Sequence, residues 1–413
     1  MNKHFRSISL IFIVLFSMVQ VVCAQTPYKK STYMKDIKAN MKAMAYNKVL
    51  DNVKTAFKNH PEDATIDPEF YSYSVLANYN LALEEEKKMY LKQRADTTRY
   101  FDYIYAIFTE GLTYDSLSNI PNKKGRVVNA YHKDLLLLFE KNMAKLVAGT
   151  KFSFLKKDYA RAYDYADMFI TLNGDSSAYA VKSLPNLQAD INAMSTFTVL
   201  SAYAQNDCQK AIVHIDNALN ESNRREQLLE VACRCYKTLN DLEKYEKSLL
   251  DGIEKYASNK YFFLSLVKLY NDQQRYTDVL AVTTDMLKID DKDRDLWFIR
   301  GKEEAYLNKT DDALQSFIKA TEIKTDDAES YSAIGNIYLG MSHKTYEQQS
   351  GQTGESLQTL KTELKALYTK AKNAFENARK YEPNNTTLWL SGLKELYFKL
   401  NMGKELKAIE SIQ

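Results

Sequence analysis

The sequence predicts an all-α chain built from stacked pairs of helices, and three observations carry that prediction. The first is a 34-residue period from Ser195 onward. One series reads Ala211, Tyr245, Val279, Ala313, and another reads Leu229, Phe263, Trp297, Tyr331, all of the latter large and apolar. A repeat of that length is a helix pair that buries its apolar face only by stacking on its neighbours. The second is composition: glycine and proline number only 12 and 6 in 413 residues, while leucine, alanine, lysine and glutamate recur, a helix-forming bias. The third lies within the unit from Asp295 to Asp327. There Gly301 and Ala313 permit close approach of two helices, and Trp297 and Phe317 fill the space between them. Trp297 and Ala313 are therefore expected at one buried helix interface.

The amino terminus carries Lys3 and Arg6, then an apolar run from Ile8 to Val22, then Val22-Cys23-Ala24 before Gln25. This is the pattern of a secretory signal peptide over residues 1–24, cleaved after Ala24. A membrane anchor fits less well, because a spanning helix needs about 20 apolar residues and Ser9, Ser17 and Gln20 interrupt this run. Lipidation of Cys23 also fits less well, since Gln20-Val21-Val22 lacks small residues. The expected mature chain has 389 residues, with 54 basic and 53 acidic side chains. That balance argues against a nucleic-acid surface. No later stretch is long and apolar enough to span a membrane, so the expectation is an exported protein of the periplasm or cell envelope without stable membrane insertion.

Residues 25–185 read as a helical region with degenerate repeats. Tyr46, Val49, Val53, Ala56 and Pro61 mark a second helix and its closing proline, and Asp67-Pro68-Glu69 supplies a cap, a first-turn proline and a first-turn acid for the next one. Helical stretches follow at Tyr100–Leu117, Tyr131–Val147 and Lys157–Leu172, and Asn173-Gly174-Asp175 and Pro185 break the pattern. Residues 186–413 read as a regular array. Phe263, Leu266, Tyr270 and Tyr276 mark one unit, and Tyr331, Ile334, Gly335 and Tyr338 open another. The second helix of the latter arrives late, as Ala371, Phe375, Ala378 and Pro383, 24 residues beyond normal spacing. The insertion, about 341–366, contains Gly351-Gln352-Thr353-Gly354 and then Leu357, Leu360, Leu364 and Leu367 at the spacing of an apolar seam. That seam is expected to lengthen the second helix at its start and to fold back on the array, or else to dock a partner. Of the cysteines after residue 24, Cys233 and Cys235 diverge on one helix; Cys208 bonded to one of them, or three small core residues, are both open readings.

The spacing of Trp297, Gly301, Ala313, Phe317 and Ala320 resembles the tetratricopeptide repeat, with departures at Arg300 and Glu304. The terminal run from Leu388 to Leu406 is similar to the closing segment of exported bacterial repeat proteins. The resemblance implies a right-handed superhelical solenoid of antiparallel helix pairs, acting as a scaffold for a protein partner and not as an enzyme. It also implies which positions face the groove. The ninth position of four successive first helices is Arg234, Lys268, Lys302 and Asn336, similar to a carboxylate clamp; Tyr261, Leu264, Phe298 and Tyr306 stand beside them. A basic rail with aromatic anchors suits an acidic or carboxyl-terminal peptide.

The remaining chemistry is thin. His60, His132, His214 and His343 are scattered without ligand companions, and no phosphate-cradling loop or nucleophile elbow is present. The acidic runs Glu84-Glu85-Glu86 and Asp290-Asp291-Lys292-Asp293 lack the spacing of a calcium loop. No cofactor or metal is expected. Thirty tyrosines serve chiefly to fill interhelix grooves with the hydroxyl reaching water. Stacking on sugar rings is the alternative, which would make the chain a glycan-binding accessory of the envelope.

Overall fold

Every regular element among the described residues is helical. The computed structural model describes residues 28–122, 124–174, 177–180, 186–221 and 223–412. The signal-peptide expectation for 1–24, and the Pro185 break, lie outside the described residues. The helices form two compact units that divide between Cys235 and Tyr236. The first holds α1 (Lys30–Lys42), α2 (Tyr46–Asn59), α3 (Pro61–Ala64), α4 (Pro68–Tyr90), α5 (Thr97–Ser118), α6 (His132–Leu155), α7 (Tyr159–Asn173), α8 (Leu187–Ala204), α9 (Cys208–Ala211) and α10 (Ile215–Ala218). The division falls within α11 (Arg225–Thr238). The second unit continues with α12 (Leu242–Lys255), α13 (Lys260–Asp272), α14 (Tyr276–Ile289), α15 (Arg294–Tyr306), α16 (Thr310–Ile323), α17 (Ala328–Glu347), α18 (Gly354–Tyr381), α19 (Leu390–Lys399) and α20 (Gly403–Glu410). No described helix is long and apolar enough to cross a membrane.

The 34-residue period governs helix ends as well as cores. Asn259, Asp293 and Asp327, each 34 apart, cap the first helices α13, α15 and α17 by accepting from the backbone N–H groups of Tyr261, Asp295 and Ser330. Asn206, Asn240, Gln274 and Asn308 recur at the same step between first and second helices, all in the left-handed region with φ near 60°. That conformation costs an L-residue with a longer side chain roughly 1–2 kcal/mol, whereas asparagine tolerates it and glycine adopts it freely. Gln274→Gly is therefore expected to stabilise the second unit by about 0.5–1 kcal/mol. Urea denaturation followed by tryptophan fluorescence measures this, because both tryptophans, Trp297 and Trp389, lie in that unit.

Packing between the helices of a pair depends on one glycine and one ring. A Cβ on Gly301 of α15 would lie 2.9 Å from the Phe317 ring of α16, and one on Gly335 of α17 would lie 2.8 Å from the Phe375 ring of α18. Ala313 is wholly buried with Leu314, Phe317, Ile334 and Ala374. Trp297 does not share that interface. It is half-buried against Phe263, Met286, Leu287 and Leu296, and its Nε1 donates to the Asp291 carbonyl at 2.8 Å. The indole thus serves the contact with the preceding pair, and Phe298, 5.5 Å from Phe317 between ring centroids, fills the space beside Gly301.

Ion pairs also repeat between neighbouring first helices. The first residue of one helix reaches the cap of the next: Lys260 to Asp293 at 2.9 Å, Arg294 to Asp327, and in the first unit Lys30 to Asp67 at 2.6 Å. Burial pushes the Asp327 carboxyl up, but the Arg294 guanidinium and Ser330 outweigh it and hold it below the ordinary range. The inserted residues lengthen both helices of their pair, α17 to 20 residues and α18 to 28 against 13 or 14 in α12 to α16. The leucine seam folds back as expected. Leu364 and Leu367 are buried, Leu357 and Leu360 half-buried, and Leu364 packs in one cluster with Tyr338 and Leu339 of α17.

In the first unit, a disulfide joins Cys208 on α9 to Cys235 on α11, with their Cα atoms 4.9 Å apart. Cys233 is buried outside that bond. The second helix of this pair is broken between α9 and α10, where Ile212, Val213 and Ile215 crowd three β-branched side chains into one turn. His214 Nε2 meets Asp167 at 2.7 Å and fastens the broken segment to α7.

Candidate functional site

Three first helices of the second unit, α13, α15 and α17, carry most of the positions expected to face a partner. Lys268, Lys302 and Asn336 are exposed on successive helices. Leu264 and Tyr306 are also open, at 48% and 56%. Tyr306 stacks on Tyr276 of α14 with centroids 4.9 Å apart. Tyr261 is half-buried against Phe262. Phe298 lies under the Arg294 guanidinium at 4.5 Å, so packing already uses much of its surface. Arg234 is exposed on α11 in the first unit, 3.7 Å from Glu230.

The charges on this face are unequal. Lys268 shares its ammonium with Asp272 at 3.2 Å, an exposed pair of small energetic weight. No described carboxylate lies in ion-pair range of Lys302. Below Leu264 the character reverses: a cleft of about 480 Å³ has an apolar floor of Phe263, Met286 and Leu296, and Asp290, Asp293 and Asp295 stand on its rim with Lys260.

The first unit contains a site that sequence reasoning missed. A groove of about 580 Å³ runs between α4 and α6, lined by Tyr73, Leu76 and Tyr79 from the former, Leu135 and Leu138 from the latter, and Tyr114 and Tyr131. The Lys141 ammonium donates to the Tyr79 hydroxyl at 2.6 Å, and that of Lys38 sits 6.0 Å from the Tyr73 ring centre. The available signal was the three-residue spacing of Tyr73, Leu76 and Tyr79, which puts them along one side of a helix. Elsewhere tyrosine hydroxyls end on buried or half-buried carboxylates: Tyr165 on Asp102 at 2.7 Å and Tyr270 on Glu246 at 2.8 Å.

One buried carboxylate organises the rim of this groove. Asp115, 3% exposed, accepts from Asn129 at 2.6 Å, Tyr179 at 2.7 Å and Asn119 at 3.3 Å, and meets His132 Nδ1 at 2.6 Å. Burial pushes this carboxyl up, yet the bonds from Tyr179, His132 and Asn129 prevail and hold it below the ordinary range. The start of α6 and Tyr131 are thereby fixed against α5. Five residues before Asp115 on α5, Glu110 has a buried oxygen without a hydrogen-bond partner among the described residues, and burial pushes its carboxyl up to about 7.

No protein-family model matches the chain, and no curated protein matches it. Solved structures similar to it are tetratricopeptide-repeat proteins. One is the C-terminal part of a repeat-containing protein from Cytophaga hutchinsonii, 11% identical over 64% of this chain and 95% of that one, with a TM-score of 0.40. Another is YrrB, described as having an unusual peptide-binding site, 16% identical over 49% of this chain and 91% of that one, with a TM-score of 0.34. A third is MamA, 16% identical over 42% of this chain and 87% of that one, with a TM-score of 0.32. Likenesses this distant assign no family. The helical-repeat architecture rests instead on this chain's own 34-residue spacing of caps, turns and glycine contacts.

Proposed function

We propose that this chain is an exported protein-interaction scaffold, without chemistry of its own, that takes a peptide or protein segment along the exposed face of α13, α15 and α17. The observation that carries this reading is the row of open side chains at the equivalent positions Lys268, Lys302 and Asn336 on neighbouring helices, with Leu264 open one turn before Lys268 and Tyr306 open one turn after Lys302. Lys302 suits an acidic group of the partner, with Asn336 as a neutral donor. Export is supported by the Cys208–Cys235 bond, which persists in an oxidising compartment.

A photo-crosslinking residue at position 306, in wild type and in a double charge reversal of Lys268 and Lys302, tests the reading. One polypeptide should crosslink to the wild type from envelope extract and be lost from the variant with helicity unchanged. Capture should also weaken as salt rises, since the Debye length is about 8 Å at physiological ionic strength. Identical crosslinks from both proteins would remove the basic positions from the site.

The tyrosine groove between α4 and α6 favours a second reading, a glycan-binding accessory of the cell envelope, because aromatic faces suit sugar rings. Tyrosine fluorescence during titration with envelope oligosaccharides, compared with Tyr73→Ala, decides it.

A further inference from the structure

We propose that Glu303 and Asn271 form a protonated acid–amide clasp between neighbouring first helices of the second unit. Glu303, on α15, is 1% exposed. Its Oε1 accepts from Nδ2 of Asn271, on α13, at 3.1 Å. The pair's other two acceptors, Glu303 Oε2 and Asn271 Oδ1, are both buried, and neither has a donor among the described residues. Two orphaned acceptors on directly bonded side chains are a costly arrangement if the carboxyl is ionised. A single proton removes both defects. Placed on Oε2, it donates to Oδ1 and closes an eight-membered ring with the bond already present, so each group is used once as donor and once as acceptor.

The surroundings supply little to hold a charge there. From α13, Lys268 and Asp272 pair with each other in solvent. At the start of α14, Arg275 is taken by Glu246 and Asp278. From α16, Ser316 bonds Glu304 rather than Glu303, Glu304 is held by Arg300, and Asp311 and Asp312 are exposed. Lys302 on the same helix is the charge that favours ionisation. Burial nevertheless holds the Glu303 carboxyl above the ordinary glutamate range, with the Asn271 bond and Lys302 opposing it. A folded pKa above the unfolded value means that the stabilisation is fully present below the unfolded pKa and is lost as pH rises through the folded one. The clasp therefore makes the α13–α15 junction, next in sequence to exposed Lys302, weaken as pH rises through the folded pKa of Glu303. This does not depend on what the exposed face binds.

Glu303→Gln provides the same donor and acceptor pattern without titration. In the full chain, carbon-13 carboxyl signals from labelled glutamate identify Glu303 as the resonance missing in the variant, or in Glu303→Met should the first fail to fold. That signal should stay protonated where exposed glutamates are ionised. By tryptophan fluorescence, which reports the second unit and not Glu110, E303Q should match wild type in acid and exceed it increasingly as pH rises. Ionisation of Glu303 in the ordinary range, or an E303Q deficit that is the same at every pH, would overturn the proposal and indicate a hydrated carboxylate instead.

Discussion

Ala313→Asp should lower the stability of the second unit by about 3 kcal/mol or more, the usual scale for an unpaired charge forced into an apolar site. Ala313 has no exposed surface and touches Leu314, Phe317, Ile334 and Ala374. Its place in the first turn of α16 gives a carboxylate some compensation from the helix dipole, but only about 0.3–1 kcal/mol. Asp311 and Asp312 already stand in that turn, so a third acid also meets like charges. Burial decides the sign. Gln315→Asp, on the exposed side of the same helix, is the control and should change stability by less than about 0.5 kcal/mol. Denaturation midpoints by tryptophan fluorescence separate the two. Equal midpoints would mean that Ala313 does not sit in the close contact between α16, α17 and α18.

The array was legible because its repeat fixes side-chain size at points of contact. Gly301, Gly335, Ala313 and Phe317 were recoverable from spacing, since a helix pair cannot close on a larger residue where a ring already lies within 3 Å. The role of Trp297 was misread. A large residue can turn toward either neighbouring pair, and spacing alone does not tell which; Phe298, expected at a partner surface, took the position against Phe317. The inserted seam was visible as leucine periodicity, but the matching extension of α17 was not, because Met341 to Glu347 carry polar residues that continue a helix without an apolar stripe of their own. The repeat-to-repeat ion pairs were also hidden. A lysine and an aspartate 33 residues apart, such as Lys260 and Asp293, carry no signal until the helices that hold them are side by side. The groove in the first unit was least legible of all, since its tyrosines come from two helices and a loop outside the regular register.

Asp115→Ala should be the most damaging single change in the first unit, at about 3 kcal/mol or more, because it strands donors that were turned inward to meet one carboxylate. Asn119, Asn129, His132 and Tyr179 all converge on it, and they come from the end of α5, the following loop, the start of α6 and the segment after α7. Asparagine does not replace it, since its amide would present hydrogens to groups that are themselves donors. The pH dependence runs opposite to that of Glu303. The folded pKa of Asp115 lies below its unfolded value, so the contribution is complete above the unfolded pKa, near 3.9, and is lost as pH falls through the folded one. Wild type should therefore lose an acid-sensitive part of its stability that the alanine variant lacks. Hydrogen exchange locates the effect. Amides in the first turns of α6 should lose protection in the variant, and wild type should lose it in the same turns below about pH 3.9. The Tyr131 side of the groove would then open with them, because the Tyr131 backbone N–H reaches the Tyr114 hydroxyl at 3.4 Å only while α6 is held in place. Unchanged protection at Leu135 and its neighbours would show that apolar packing of α6 on α5, and not the carboxylate, sets the shape of that groove.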